Sequence, residues 1–249
     1  MTFRITLLLL ILAISGPVSA EPEDLGAALE RIIQVYGGEE NVRKLDNVIQ
    51  EWSVVALMGN RHGTDTRSVQ VPGRLKVELI YAHKQETRVL KDDTGYVIFR
   101  DGIPTIAKDM QRDAMRLQLM RLYSPLALRD RIDNLSMAEQ EGFLYLTLRE
   151  NGLRADYVVN MENWRIEKVV GTMSINGNEM NFLTEYSEFK LVDGVLVHHR
   201  ENKYAGKVNT AVLNLNTITI EAQFEDDTFS PGISEDSADG EGADPLIAT

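Results

Sequence analysis

The four histidines, His62, His83, His198 and His199, are the first side chains to test for chemistry, because imidazole serves as base and metal ligand near neutral pH. Their spacing suits neither role. His198 and His199 adjoin in a β-rich stretch, so they point to opposite faces and cannot readily share one ion. All four read as surface or edge residues. Asp92-Asp93 and Asp226-Asp227 offer adjacent carboxylates, but both pairs sit in turn sequence, where Asp serves the backbone. The acidic run from Asp236 to Asp244 lacks the alternating spacing of a calcium loop. HExxH, GxSxG, the phosphate-binding GxxxxGKS/T and a strand-flanked GxGxxG are all missing from the sequence. With no cysteine, thiol catalysis, disulfides and lipid attachment through a cysteine are excluded. The expectation is a protein with no catalytic residue, no metal and no cofactor, in which Trp52 and Trp164 serve packing.

What the chain offers instead is sheet. Glu179 to Gln223 reads as three long strands joined by Asp193-Gly194 and Ala205-Gly206-Lys207, residues that tolerate the positive φ of hairpin turns. Met180, Phe182 and Tyr186 share a face. Leu213 and Leu215 share another, yet Ile218 and Ile220 fall in the opposite phase, so a β-bulge is expected at Asn216-Thr217, bending the sheet. Upstream, Val48, Trp52, Val54, Ala56 and Met58 alternate, then a polar strand covers 64–71. Pro72-Gly73 breaks the chain before Leu75, Val77, Leu79 and Tyr81 alternate again. Short strands fit 85–91, 95–100, 103–107, 143–149, 154–160 and 165–175. About a dozen strands at hairpin spacing predict an antiparallel sheet with helices on one side.

Three helical stretches interrupt that pattern. Leu25, Ala28, Leu29, Ile32, Ile33 and Tyr36 recur at three and four across 23–36, until Gly37-Gly38 stops the helix, and a short second helix is expected over 39–45. From 109 to 123 the apolar residues form two nearly opposite stripes, Met110/Ala114/Leu117 and Met115/Leu119/Leu122. A helix apolar on two sides is either sandwiched in a core or plugging an opening. The first twenty residues read as a cleaved secretory signal: Arg4, the apolar run Ile5 to Ile14, and Val18-Ser19-Ala20 before Glu21. Residues 21–231 are then one domain and 232–249 an acidic, Gly/Pro-bearing disordered tail.

Asp and Glu number 38 against 26 Lys and Arg, and eight of the acids crowd into 225–244 with no base among them. No basic cluster suits phosphate backbones, which argues against nucleic acid as a partner.

A curved sheet of about eleven strands encloses more volume than its own side chains fill. The Met-bearing helix 109–123 suits that space, because Met packs irregular gaps. The sequence also resembles the LolA/LolB-like superfamily of periplasmic lipoprotein-sorting carriers. That resemblance rests on Tyr36-Gly37-Gly38 after the first helix, Val71-Pro72-Gly73-Arg74-Leu75, Tyr186-Ser187-Glu188-Phe189-Lys190 with Val192-Asp193-Gly194-Val195, and the closing Phe224-Glu225-Asp226-Asp227-Thr228-Phe229-Ser230-Pro231. It implies a mainly β fold, an incomplete antiparallel barrel with an α-helical lid over an apolar cavity for acyl chains of lipids or lipoproteins, and no cofactor. The expected cavity wall comprises Trp52, Val54, Leu75, Val77, Leu79, Phe182 and Tyr186, with Met115, Leu119 and Leu122 on the lid. The expected protein is a periplasmic monomer that carries acyl chains toward the outer membrane. An alternative from a different class is an envelope interaction or lipid-sensing module that assists an inner- or outer-membrane protein.

Overall fold

Asp24 opens the first helix, its carboxylate accepting a hydrogen bond from Ala27 N at 2.7 Å and so satisfying one of the free donors of the first turn. The computed structural model describes residues 24–232, so the expected signal (1–20) and most of the expected tail (232–249) lie outside the described residues. Helix α1 (Leu25–Val35) buries Ala28, Leu29, Ile32 and Ile33, and α2 (Glu39–Arg43) continues into a 3-10 turn, Lys44–Asp46. Six strands follow: β1 (Asn47–Ala56), β2 (Arg61–Gln70), β3 (Arg74–Tyr81), β4 (Lys84–Lys91), β5 (Thr94–Phe99) and β6 (Pro104–Ile106). Then come α3 (Asp109–Met120) and α4 (Pro125–Arg129), and the strands resume with β7 (Leu135–Gln140), β8 (Phe143–Glu150), β9 (Leu153–Asn160) and β10 (Arg165–Ile175). The chain finishes with β11 (Asn178–Ser187), β12 (Lys190–Val192), β13 (Val195–Val197), β14 (Arg200–Ala205) and β15 (Val208–Ile220).

Thirteen strands form one antiparallel sheet in the order β6-β5-β4-β3-β2-β1-β15-β14-β11-β10-β9-β8-β7, open between β6 and β7. Helix α3 packs on β3, β4 and β5 from one half and on β9 and β10 from the other, so the sheet curls around it. Register explains which residues face inward. Val48, Val69, Leu75 and Leu90 stand opposite one another across β1 to β4, and Val169, Tyr157 and Leu146 do so across β10 to β8. All seven are buried in one core with α1, α3 and α4.

The expected bulge is present. Glu51 faces Thr217 while Trp52 faces Leu215, so Asn216 stands unpaired and Ile218 and Ile220 rejoin the face of Leu213 and Leu215. Two expectations need correction. The sheet has thirteen strands where about eleven were expected. The edge strand β6 falls within the expected 103–107, but β7 was not expected, because it is polar and largely exposed. The first strand of the 179–223 block also ends early: Glu188 adopts φ 55°, the chain turns, and β12 and β13 pair as a separate hairpin.

That hairpin holds the N-terminal helices. Gly37 has φ 120°, and a Cβ there would lie 2.1 Å from Gly194 O, so only glycine lets the two turns meet. Tyr36 O accepts from Leu196 N at 3.0 Å, and its hydroxyl accepts from Ile166 N at 3.2 Å. The Tyr-Gly-Gly stretch thus fastens α1 to β13 and β10.

Helix α3 buries Met115, Leu117, Leu119 and Met120. It is seated at Gly171 of β10, where an added Cβ would come within 2.7 Å of Arg121 Cδ and 2.9 Å of Leu117 Cγ. Gly171 has an ordinary backbone conformation, so only the contact resists substitution. Gly171→Ala should therefore destabilise the protein by about 1–3 kcal/mol, the usual cost of overpacking. Urea unfolding checks this, and an unchanged midpoint would mean that α3 does not press on this strand.

Candidate functional site

The interior beneath α3 carries charge as well as apolar surface. Strand β2 reads Asp65-Thr66-Arg67-Ser68-Val69, and with β1 and β3 apolar on both sides the odd-numbered residues share the inner face with Val69. Arg67 is 1% exposed and Glu201, from β14, equally so. Arg67 donates from Nη1 and Nη2 to the two Glu201 oxygens at 2.9 and 3.0 Å, and from Nε and Nη2 to Asp65 Oδ2 at 3.1 and 2.8 Å. Lys203 Nζ lies 3.3 Å from Glu201 Oε2, and His198 Nε2 lies 3.2 Å from Glu201 Oε1. Burial opposes the charge on Glu201, but Arg67, then Lys203 and His198, outweigh it and hold its carboxyl well below the usual range. Burial likewise opposes the Arg67 charge, which Asp65 and Glu201 more than restore.

This charged layer divides the interior. Trp52, Val54 and Leu213 form a small apolar cluster on one side, while Leu75 and Val77 belong to the main core on the other. The Arg67 guanidinium lies 4.9 Å from the Trp52 ring centroid, between them. The apolar interior expected from the sequence is therefore interrupted. Asp65 and Arg67 were masked because they sit in a strand that reads as polar throughout. Their spacing of two, in phase with Val69, is the signal that could have found them.

Several cavities border α3, and two of them share residues. The larger, about 220 Å³, is lined by Arg67, Arg88, Arg121, Glu201 and Lys203 together with Ala114, Leu117, Gln118, Leu122, Met173, Phe182, Thr184 and Tyr186. The smaller, about 80 Å³, is mostly apolar, with Val48, Val69, Tyr157, Val169, Leu196 and Ile218 among its walls. Arg121, Leu122 and Tyr186 line both. Of the expected wall residues, Phe182 and Tyr186 meet at the larger cavity. Trp52, Val54, Leu75 and Val77 are core residues away from both, and Leu79 is half-buried beside Asp65 and Glu86 in the neighbouring strands. The expected lid stripe is spread. Leu122 meets both cavities, Leu119 faces Pro72, Leu90 and Tyr123, and Met115 faces Val97 and Phe99.

His198 corrects another expectation. Its ring lies 4.1 Å from Tyr186 and 5.6 Å from Trp52, inside the curve of the sheet, because the link from β13 to β14 turns it inward. His199 instead places Nδ1 3.2 Å from Val197 O. No group of three or more His, Asp or Glu side chains among the described residues is placed to hold a metal.

Helix α3 is held unequally at its two ends. At its C-terminal end, Tyr157 donates to Met120 O, Tyr186 donates to Arg121 O at 3.0 Å, and Tyr123 donates to Pro72 O at 3.2 Å. Two of these bonds satisfy carbonyls that a helix end leaves free. Near its start Met110 is half exposed, and mid-helix Arg116 reaches Asp93 in the β4–β5 turn through an ion pair at 2.6 Å.

A half-open antiparallel sheet curled round a mid-chain helix, with α1 docked across one end, is an arrangement shared with solved structures. A LolA superfamily protein from Nitrosomonas europaea superimposes with a TM-score of 0.52 at 12% identity, covering 82% of this chain and 96% of that one. The fold is LolA-like. An outer membrane lipoprotein-sorting protein domain from Vibrio parahaemolyticus, described as putative, matches with a TM-score of 0.48 at 10% identity, covering 81% of this chain and 97% of that one. A DUF1329 family protein from Desulfovibrio piger gives 0.46 at 10% identity, covering 84% and 98%. No family model matches the sequence, and no curated protein matches it. Within this LolA-like chain, no helix among the described residues is long and apolar enough to cross a membrane.

Proposed function

We propose that this LolA-like protein is a periplasmic carrier or chaperone that takes acyl chains of lipids or lipoproteins into the space under α3, for delivery toward the outer membrane. The observation that carries the reading is α3 itself, held by tyrosines at its C-terminal end, half exposed at Met110 near its start, and tied to the β4–β5 turn by the Arg116–Asp93 ion pair. The cavities of about 220 and 80 Å³ fall below the roughly 300–1,000 Å³ of ordinary ligand sites, so a chain enters only if α3 moves. The energies allow it. Each buried methylene contributes about 0.8 kcal/mol, so a dozen give about 10 kcal/mol gross, against about 1.5–3 kcal/mol for each apolar side chain of α3 that is displaced. Residues 21–231 would make up this carrier.

Met115 and Leu119 separate a lid from a fixed core helix, being 2% and 3% exposed. Replacing both with Ala should cost several kcal/mol, since each such change costs about 2–5 kcal/mol. In a lid this loss falls on the closed, empty form alone, so uptake of a fluorescent fatty-acyl probe is retained or raised in the folded fraction. Loss of folding and uptake together would count against the lid.

A second reading draws on Phe99, Ile103, Ile106 and Met110, apolar side chains left exposed around the β5–β6 edge and the start of α3. They suit an interaction or lipid-sensing module that assists a membrane protein, with no transport role.

A further inference from the structure

We propose that the larger cavity receives the negative charge of an amphiphile's headgroup, a phosphodiester or carboxylate, held by Arg121 while the acyl chain runs past Leu122 and Tyr186 into the smaller cavity. This rests on the acyl-carrier reading and adds the chemical class of what is carried.

The charge count on the cavity wall leads to it. Arg67, Arg88, Arg121 and Lys203 line the cavity with one carboxylate, Glu201. Arg67 is taken up by Asp65 and Glu201, and Arg88 by Glu86 at 2.5 Å. Lys203 shares Glu201 with Arg67, which already occupies both of its oxygens. Arg121 faces no carboxylate within ion-pair distance. Its Nη2 donates to the Thr184 hydroxyl, and its fully buried Nε meets no protein acceptor. Glu86 is shared with Lys84 as well, at 2.5 Å, so no acid is left over, and of the three arginines on the wall Arg121 alone has no carboxylate.

A guanidinium cannot shed its proton to escape such a site, and a buried charge without a partner is unfavourable. Burial, then Arg67, brings the Lys203 ammonium down to about 8, and burial lowers Arg121 as well. A planar guanidinium fork matches carboxylate and phosphate oxygens. The anionic oxygens of a headgroup would give Arg121 the partner that the wall does not supply. The cavity, about 220 Å³, has room for roughly seven waters at about 30 Å³ each, enough for a small headgroup but not for its chain. The chain has a route, because Arg121, Leu122 and Tyr186 belong to both cavities, and Val48, Val69 and Ile218 wait beyond them.

The test is calorimetric titration of the wild-type protein with three probes below their micelle concentrations. These are a lysophosphatidylglycerol, a monoacylglycerol of the same chain length, and glycerol phosphate with no chain. The lysophosphatidylglycerol should bind about tenfold or more tightly than the monoacylglycerol, as a charge-assisted, buried contact implies. Glycerol phosphate should bind far more weakly than either. Arg121→Met should bring the lysophosphatidylglycerol down to the monoacylglycerol level and leave the latter unchanged, and Arg121→Lys should retain part of the preference. If Arg121→Met does not fold, the wild-type ratio alone decides. Equal affinity for the two acyl probes overturns the headgroup site while the carrier reading stands. Glycerol phosphate binding as tightly as the lysophosphatidylglycerol overturns the amphiphile in favour of a free anion, and no binding of any probe overturns both readings.

Discussion

Arg67→Met should destabilise the protein by about 3–5 kcal/mol at neutral pH, the cost of breaking a buried ion pair by removing one partner. Asp65 and Glu201 would remain, 4% and 1% exposed, and Asp65 Oδ1 already lacks a partner. The loss should depend on pH in a definite sense. In the wild type, Glu201 is held well below its ordinary 4.5, so its stabilising contribution is complete above about 4.5 and is lost as the pH falls through the lower folded value. Without Arg67, only Lys203 and His198 oppose the effect of burial on Glu201, so acid removes less. The gap between wild type and variant should narrow as the pH drops below 4.5. Replacing Asp65, Arg67 and Glu201 together with Leu, Met and Leu should cost less than Arg67→Met alone, because no buried carboxylate is then left unpaired and Lys203, a quarter exposed, reaches water. Urea unfolding at neutral and acid pH measures all of this, and a constant gap would show that the layer is not electrostatically coupled.

Bridging α3 to the β4–β5 turn should abolish acyl uptake. Arg116 Nη2 and Asp93 Oδ1 meet at 2.6 Å, with Asp93 exposed, and the chain contains no cysteine that would compete. Arg116→Cys with Asp93→Cys, joined by a short cleavable bifunctional thiol reagent, ties the middle of α3 to the β4–β5 turn while leaving the tyrosine bonds untouched. Uptake of a fatty-acyl probe should fall to background in the bridged protein and return when the bridge is cleaved. Uptake that survives bridging would mean that chains reach the interior without α3 moving.

Local features of this fold were legible in the sequence for local reasons. The parity change between Leu215 and Ile218 announced the bulge at Asn216, since a period of two cannot slip without an extra residue. The glycines after Tyr36 marked the end of α1, although their contact with Gly194 could not be read from spacing. The 109–123 segment appeared as helix but ends at Met120, with its last carbonyls held by tyrosines of β9 and β11. The charged layer was not legible. Arg67 and Glu201 lie 134 residues apart, and only the register of the two strands between them in the sheet, β1 and β15, brings them to the same depth. His198 was misread for the same kind of reason, because its surroundings are set by Trp52 and Tyr186 from other strands. The cavity-wall list joined residues of correct phase on each strand. It could not tell which of them the helix covers, and so it placed Trp52 and Leu75 together although the charges separate them.

The central claim is that the interior under α3 carries an acyl chain. Native mass spectrometry of the protein, purified without detergent from its own compartment, tests it most directly. The account predicts one lipid or lipopeptide per chain, displaced by added acyl probe and absent from the protein bridged at 93 and 116 before loading. An empty protein that co-purifies with a tightly bound membrane-protein partner would contradict it and favour the interaction module.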